Sequence, residues 1–306
     1  MRIVVPDLDL ADAVGPLDGA ETVVWDGRSD PPGGVDLWVA PYMTHSRAVD
    51  RAAELDGLRV VQLQSAGYEG VAEKLPDGVL LCNARGVHDD ATAEHAVGLV
   101  LASLRGTVEA VRHQAQGRWV RMPGRRSLAG STVLVLGYGS IGRAVAERLV
   151  VMKASVVAVA SRPRPGDGVV DVVHGVDDLP TLLPQAHVVV VLVPYSSATA
   201  GMVDDAFLRR MSDGALLVNV ARGGVVDTGA VLAHAGRLSF ALDVTDPEPL
   251  PDGHPLWSAP GVLVTPHLAG GTTAMLPRMS ALVREQARRL LAGEELLNVV
   301  APAPAG

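Results

Sequence analysis

The sequence predicts an α/β protein made of two doubly wound parallel sheets, each with helices on both faces. Short β-branched runs recur between segments of helical periodicity, which is the pattern of parallel strands joined by crossover helices. The later runs are almost unbroken apolar, as strands covered on both sides should be. The length of 306 residues, with 48% hydrophobic, suits about two domains at ~150 residues each.

The first series of strands is expected at 2–5, 22–25, 37–40, 60–64 and 79–82, with helical stretches between them, as at Ser46 to Glu54. A long helical pattern at 90–116 leads to a second series at 132–136, 155–160, 187–193, 215–220, 240–243 and 262–265. A second long helix is expected at 272–292, returning the chain to its first sheet, and 301–306 reads as a loose end. The expected division is 1–92 plus 273–306 for one domain and 93–272 for the other.

Composition narrows the function. Cys82 is the one cysteine, which excludes a disulfide framework and any cysteine-based zinc site. A net charge of −8 opposes binding to nucleic acid or an anionic membrane. No apolar run reaches the ~18 residues needed to cross a bilayer, and 1–6 lacks the apolar core of a secretory signal, so a cytoplasmic location is expected. The stretch 171–178, which includes His174, fits no metal-ligand spacing and reads as a solvated loop; no metal is expected. His88-Asp89-Asp90 reads as a helix cap. With no Gly-x-Ser-x-Gly elbow, Ser196, Ser197 and Thr199 do not suggest a serine hydrolase.

Val133-Leu134-Val135-Leu136 runs into Gly137-Tyr138-Gly139-Ser140-Ile141-Gly142 and then a helical pattern. This is the strand, G-x-G-x-x-G turn and helix of a dinucleotide-binding Rossmann unit. Gly137 allows the tight turn, Gly139 lets a pyrophosphate approach the backbone, and Gly142 lets helix and strand pack closely. The next strand should end in Asp or Glu if the adenosine ribose carries a free 2′-hydroxyl. It ends instead in Ala160-Ser161-Arg162-Pro163-Arg164. Ser161 can donate to a 2′-phosphate, and Arg162 or Arg164 can pair with one, so NADP(H) is favoured and NAD(H) remains possible. The bland alternative places these arginines on an exposed turn.

Three later strand ends carry polar groups: Arg222, Glu248 and His267. In an open α/β sheet, loops after successive strands converge on one crevice, so these residues can meet although 26 and 19 positions separate them (248 minus 222, 267 minus 248). The residue types suit reduction of a 2-oxo acid. Arg222 would hold the carboxylate and polarise the carbonyl, His267 would give the proton, and Glu248 would orient the imidazole.

The ordered set of Gly137 to Gly142, Asn219-Val220-Ala221-Arg222-Gly223, Asp243-Val244, Glu248-Pro249 and Pro266-His267-Leu268-Ala269-Gly270 resembles the D-isomer-specific 2-hydroxyacid dehydrogenase family. Gln64-Ser65-Ala66-Gly67-Tyr68 and the segment from Gly86 to Ala96 extend the likeness through most of the chain. The resemblance implies a Rossmann cofactor domain inserted into a flavodoxin-like substrate domain, catalysis in the cleft between them, and a homodimer. It implies that Asp243 holds the nicotinamide carboxamide, that Val193 and Pro194 line the adenine side, and that Thr92 lies near the cofactor phosphate or ribose. It also counts Thr199, Ala221 and Gly270 among the cofactor-binding residues. The backbone at Ser65, Ala66 and Gly67 would take the substrate carboxylate. Ser161-Arg162 is similar to the NADPH-using glyoxylate and hydroxypyruvate reductases of the family.

The segment between Arg222 and Asp243 is about three residues shorter than the usual family pattern, a change that loops tolerate well. Ala66 stands where phosphite-oxidising relatives carry lysine, and Glu248 where formate dehydrogenases carry glutamine, so neither activity is expected. Tyr42 and Met43 would shape substrate choice or simply pack their loop, and Trp119 fits either a dimer core or a pocket wall. A second reading is a dinucleotide-sensing interaction protein similar to the family's corepressors; the absence of long tails weighs against it.

Overall fold

The structure, a computed structural model, describes residues 1–42 and 48–302; the expectations at Met43, Ser46 and 303–306 lie outside them. By its internal contacts the chain divides into two units, 1–88 with the segment from Thr272, and Asp89–Gly271. The first part of unit 1 runs β1 (Arg2–Val5), α1 (Leu8–Val14), β2 (Glu21–Val24), β3 (Leu37–Val39), β4 (Val60–Gln62) and β5 (Leu80–Cys82). Unit 2 opens with α2 (Asp89–Arg105), α3 (Thr107–Ala115), β6 (Thr132–Leu136), α4 (Ser140–Val151) and β7 (Ser155–Val159). It continues through β8 (Arg164–Pro165), β9 (Val172–His174), α5 (Leu179–Leu182), β10 (Val188–Val191), α6 (Asp205–Arg210) and β11 (Leu216–Asn219). It ends with α7 (Thr228–His234), β12 (Ser239–Leu242) and β13 (Val262–Val264). The chain then returns to unit 1 with α8 (Met275–Ala292) and β14 (Val299–Pro302).

The unit 1 sheet has the order β14-β5-β4-β3-β1-β2. Its first five strands are parallel, and β14 joins antiparallel to β5. Period-2 alternation sends Ile3, Val5, Leu37 and Val39 to the face covered by Leu10, Val14, Met279, Leu282 and Val283. Val4, Trp38 and Val61 go to the other face, against Val49, Ala52 and Leu75.

The unit 2 sheet has the order β13-β12-β11-β10-β6-β7-β9-β8, parallel except where β8 pairs with β9. Val133 and Val135 pack against Ala96, Val100, Val145 and Leu149 of α2 and α4, and Leu134 and Leu136 against Phe207, Leu208 and Val231. Both faces are therefore dry, which is why these strands read as continuous apolar runs. Strand order reverses between β6 and β10, and a ligand crevice belongs beyond the carboxyl ends of those strands.

The two doubly wound parallel sheets are as expected, but four local features differ. The helix expected at 90–116 breaks between α2 and α3 at Gly106, whose φ is +67°; the Arg125 guanidinium fills the space a Cβ would need. The segment 171–178 is not all loop, because Val172 to His174 form β9, alongside β7. The tail is not loose at Ala301 and Pro302, which pair with β5. The last helix starts at Met275 and not at 272. Strands as short as β9 and β14 carry little hydrophobic periodicity of their own, so sheet pairing and not local pattern creates them.

Candidate active site

The glycine turn follows β6 directly. Gly137 has φ +108°, and a Cβ there would lie 2.5 Å from the Leu192 carbonyl carbon and 2.6 Å from Val193 N. The turn thus touches the segment after β10, where Val193 and Pro194 lie. A Cβ at Gly142 would collide with the Gly137 carbonyl, so α4 packs against the turn at contact distance. Around the position of a Gly139 Cβ there is nothing within 4 Å. Two glycines are required by the fold and one leaves room, and the room is at the N-terminus of α4, which begins at Ser140 and Ile141. That arrangement suits a pyrophosphate, which N-terminal N–H groups attract. Thr199 Oγ1 donates to Pro194 O at 2.6 Å and shapes the neighbouring loop.

At the end of β7, Ser161 and Arg162 are exposed, and Arg162 makes no hydrogen bond or ion pair among the described residues. Arg164 is committed elsewhere: it donates to Tyr138 O at 2.6 Å and its guanidinium carbon lies 5.8 Å from the Tyr138 ring centre. Asp167 accepts from Tyr138 Oη at 3.1 Å and Arg143 Nε at 3.0 Å. Burial and then the Asp167 carboxylate push the Tyr138 phenol up to about 12. The tyrosine therefore stays a neutral latch between the glycine turn and the β8–β9 hairpin. Sequence reading missed Asp167, which no motif marks.

The loops after β11, β12 and β13 are tied together. Asn219 closes the Arg222 turn by donating to Arg222 O at 3.0 Å and accepting from Ala221 N at 3.0 Å. The Arg222 guanidinium donates to Ala221 O at 2.8 Å. A Cβ at Gly223 would strike the Thr245 carbonyl, and Thr228 Oγ1 donates to Asp246 O at 2.7 Å, so the Arg222 loop lies on the loop carrying Glu248. His267 Nδ1 stands 2.6 Å from Glu248 Oε1.

His267 has φ +52°, a left-handed conformation costing an L-residue about 1–2 kcal/mol. Its neighbours enforce that backbone. His267 N donates to Asp243 O at 2.8 Å, and Leu268 N and Ala269 N donate to the Asp243 carboxylate at 2.9 and 3.0 Å. Strain held in place by surrounding bonds is a mark of a working residue. Gly270 follows in the same loop. Thr265 Oγ1 and His95 Nε2 also reach Asp243, at 2.6 and 3.0 Å. Burial would raise the Asp243 carboxyl, but these donors outweigh it and hold the group below the usual carboxylate range. His95 lies on α2 three residues after the buried Thr92; it was visible in the sequence, but its partner was not.

Within unit 1, the Ser65–Gly67 loop has its carbonyls occupied. Ala84 N donates to Ser65 O at 2.8 Å, Asn83 Nδ2 to Ala66 O at 2.7 Å, and Ser65 Oγ to Gly67 O at 2.6 Å. The N–H groups of Ser65, Ala66 and Gly67 make no hydrogen bond among the described residues. His88 Nε2 lies 2.6 Å from Gln64 O, and Tyr42 stacks on His88 with ring centres 5.7 Å apart. Burial pushes the Cys82 thiol up to about 12, so it is no nucleophile at neutral pH. Among the described residues no cluster of His, Cys, Asp or Glu is placed to hold a metal ion.

Residues 97–269 match the family profile described as D-isomer specific 2-hydroxyacid dehydrogenase, NAD binding domain. The chain belongs to the D-isomer-specific 2-hydroxyacid dehydrogenase family. This dehydrogenase is 34% identical to a glyoxylate reductase of Thermofilum pendens over 78% of its own length and 73% of that protein's. It is 32% identical to the human glyoxylate reductase/hydroxypyruvate reductase, over 77% of its length and 74% of the human chain. A D-isomer-specific 2-hydroxyacid dehydrogenase from Xanthobacter autotrophicus, solved with NADPH and MES, superposes with a TM-score of 0.80 at 29% identity, covering 98% of both chains. The dehydrogenase is thus an NAD(P)-dependent oxidoreductase of 2-oxo and 2-hydroxy acids, and the residues that match the NAD-binding profile fall within unit 2.

Proposed function

We propose that the dehydrogenase reduces small 2-oxo acids to D-2-hydroxy acids, with NADPH favoured over NADH. The observation that carries the catalytic assignment is the 2.6 Å contact between His267 Nδ1 and Glu248 Oε1 on a backbone held in the left-handed region. The reduced dinucleotide supplies the hydride when bound. Arg222 holds the substrate carboxylate and draws electron density from the carbonyl. Glu248 accepts the hydrogen bond from Nδ1–H, which fixes the ring and leaves Nε2–H to protonate the carbonyl oxygen, the imidazole keeping its Nδ1 proton. Each turnover consumes one hydride and one proton, and His267 recovers its proton from solvent.

Gly137, Gly139 and Gly142 with the α4 N-terminus, together with Val193, Pro194, Thr199, Ala221, Thr92, Asp243 and Gly270, are assigned to the dinucleotide. The free Arg162, beside Ser161, supports a 2′-phosphate; Arg164 serves the turn instead. The unbonded N–H groups at Ser65, Ala66 and Gly67 support a carboxylate loop there, and the Tyr42–His88 stack supports a substrate wall. A homodimer is proposed in addition; the neighbouring Trp119 and Val120, 94% and 43% exposed, supply contiguous apolar surface for it. No described helix is long and apolar enough to cross a membrane, and a cytoplasmic location is proposed.

The test is oxidation of NADPH and NADH with glyoxylate, hydroxypyruvate and bulkier 2-oxo acids. Turnover with NADPH ahead of NADH is expected. No turnover with any substrate would overturn the proposal in favour of a dinucleotide-sensing role.

A further inference from the structure

The Asp243 carboxylate is 1% exposed and receives donors unequally. Thr265 Oγ1 at 2.6 Å, Leu268 N at 2.9 Å and His95 Nε2 at 3.0 Å all converge on Oδ1. Oδ2 receives Ala269 N at 3.0 Å. A carboxylate oxygen has about two lone-pair directions, so Oδ1 is saturated and the spare acceptor capacity lies on Oδ2. Because Asp243 is held in its ionised form, the imidazole Nε2 must be the protonated nitrogen and donate. His95 Nε2 also lies 3.1 Å from Thr265 Oγ1, so it braces the carboxylate and the hydroxyl that bonds it.

The four donors differ in origin. Thr265, Leu268 and Ala269 belong to the loop that carries His267, so a movement of that loop would drag the carboxylate with it. His95 comes from α2, 148 residues away in sequence, and α2 is fixed in the core through Ala93, Ala96, Val97 and Val100. It therefore refers the carboxylate to the rigid body of unit 2.

We propose that His95 is a positioning residue, whose Nε2–H fixes the rotation of the Asp243 carboxylate so that Oδ2 faces the nicotinamide carboxamide. The bond from the carboxamide NH2 to Oδ2 then sets the angle of the ring that delivers hydride. The inference rests on the assignment of Asp243 to the carboxamide. It differs from a purely structural role for His95, in which the imidazole would only pin α2 to the strand ends and would be indifferent to the cofactor's amide.

That difference can be read with two dinucleotides. The 3-acetylpyridine analogue carries a methyl where nicotinamide has NH2, so it cannot donate to Oδ2. The measured quantity is the ratio of its Kd to that of the natural dinucleotide, by titration calorimetry, with the corresponding kcat/KM ratio as a second reading. Both ligands are titrated into the same preparation, so a variant that folds in lower yield still gives a valid ratio. Asp243→Asn keeps the side chain's shape. Its carbonyl can take the Oδ1 donors, which leaves its NH2 facing the carboxamide. A charge-assisted hydrogen bond contributes about 1.5–3 kcal/mol, so the ratio should collapse by about 10-fold or more. His95→Ala should lower it about 3-fold to 10-fold. His95→Gln, whose Nε2–H can occupy the same place, should restore it to within about twofold of the wild-type value.

An unchanged ratio in Asp243→Asn would remove the carboxamide assignment and the inference together. A collapsed ratio there with an unchanged ratio in His95→Ala would leave Asp243 in its role and overturn the inference alone. A His95→Gln ratio as low as that of the alanine variant would also overturn it.

Discussion

Alanine at Gly139 and alanine at Gly137 should separate what the cofactor demands of the glycine turn from what the fold demands. Gly139 has φ −93°, open to any L-residue, and its added Cβ meets nothing within 4 Å. Alanine is a poorer helix cap than glycine by a few tenths to ~1 kcal/mol, offset by ~0.4–1 kcal/mol from a stiffer unfolded chain. The melting temperature should therefore stay within about 2 °C of wild type. At Gly137 the Cβ would stand 2.5 Å from the Leu192 carbonyl carbon, where carbon atoms normally keep about 3.5 Å, so something must move by about 1 Å. Overpacking costs about 1–3 kcal/mol, and the +108° φ adds about 1–2 more. For a unit spanning Asp89–Gly271, at ~2–4 °C per kcal/mol, melting should fall by about 5–15 °C. Both variants should weaken NADPH by at least about tenfold, one by occupying the pyrophosphate's room and the other by displacing the turn. Thermal melts and dinucleotide titrations read both quantities. A Gly139→Ala protein that binds NADPH as tightly as wild type would refute the close approach of phosphate to that backbone.

His267→Ala should cut turnover about 100-fold or more with dinucleotide Kd nearly unchanged, measured by steady-state kinetics and titration; loss of binding instead would show a misassigned role. Arg162→Ala should raise the Kd for NADPH and leave that for NADH unchanged, and equal effects on both would remove the 2′-phosphate argument. The folded Asp243 carboxyl lies below its unfolded value of about 3.9, so its contribution to stability is complete above about pH 5 and is lost as pH falls through the folded value. Urea midpoints in mild acid should accordingly drop more steeply for wild type than for Asp243→Asn; parallel curves would refute the linkage.

Much of this molecule could be read without coordinates. The strand at Thr132–Leu136 ends where its unbroken apolar run ends, and the glycine turn follows it at once. Arg222, Glu248 and His267 each stand after a strand of one parallel sheet, and topology brings the last two into hydrogen-bond contact. What escaped were features settled by partners remote in sequence. Val172 to His174 become a strand because β7 offers an open edge, and Ala301 and Pro302 because β5 does. Gly106 breaks a helix whose periodicity continues through it. His95 sits in an ordinary helical context; its link to Asp243 exists only once β12 lies beside α2.

The late return of α8 to unit 1 has a consequence for synthesis. Unit 1 is discontinuous, and the helix whose Met279, Leu282, Val283 and Ala287 shield the face formed by Ile3, Val5, Leu37 and Val39 is translated after the whole of unit 2. Chains are made from the N-terminus and domains tend to fold as units. On the ribosome, the inserted unit can therefore mature while the earlier strands still wait with a greasy surface uncovered. In that interval, and not in the finished enzyme, this face is open to association with other chains.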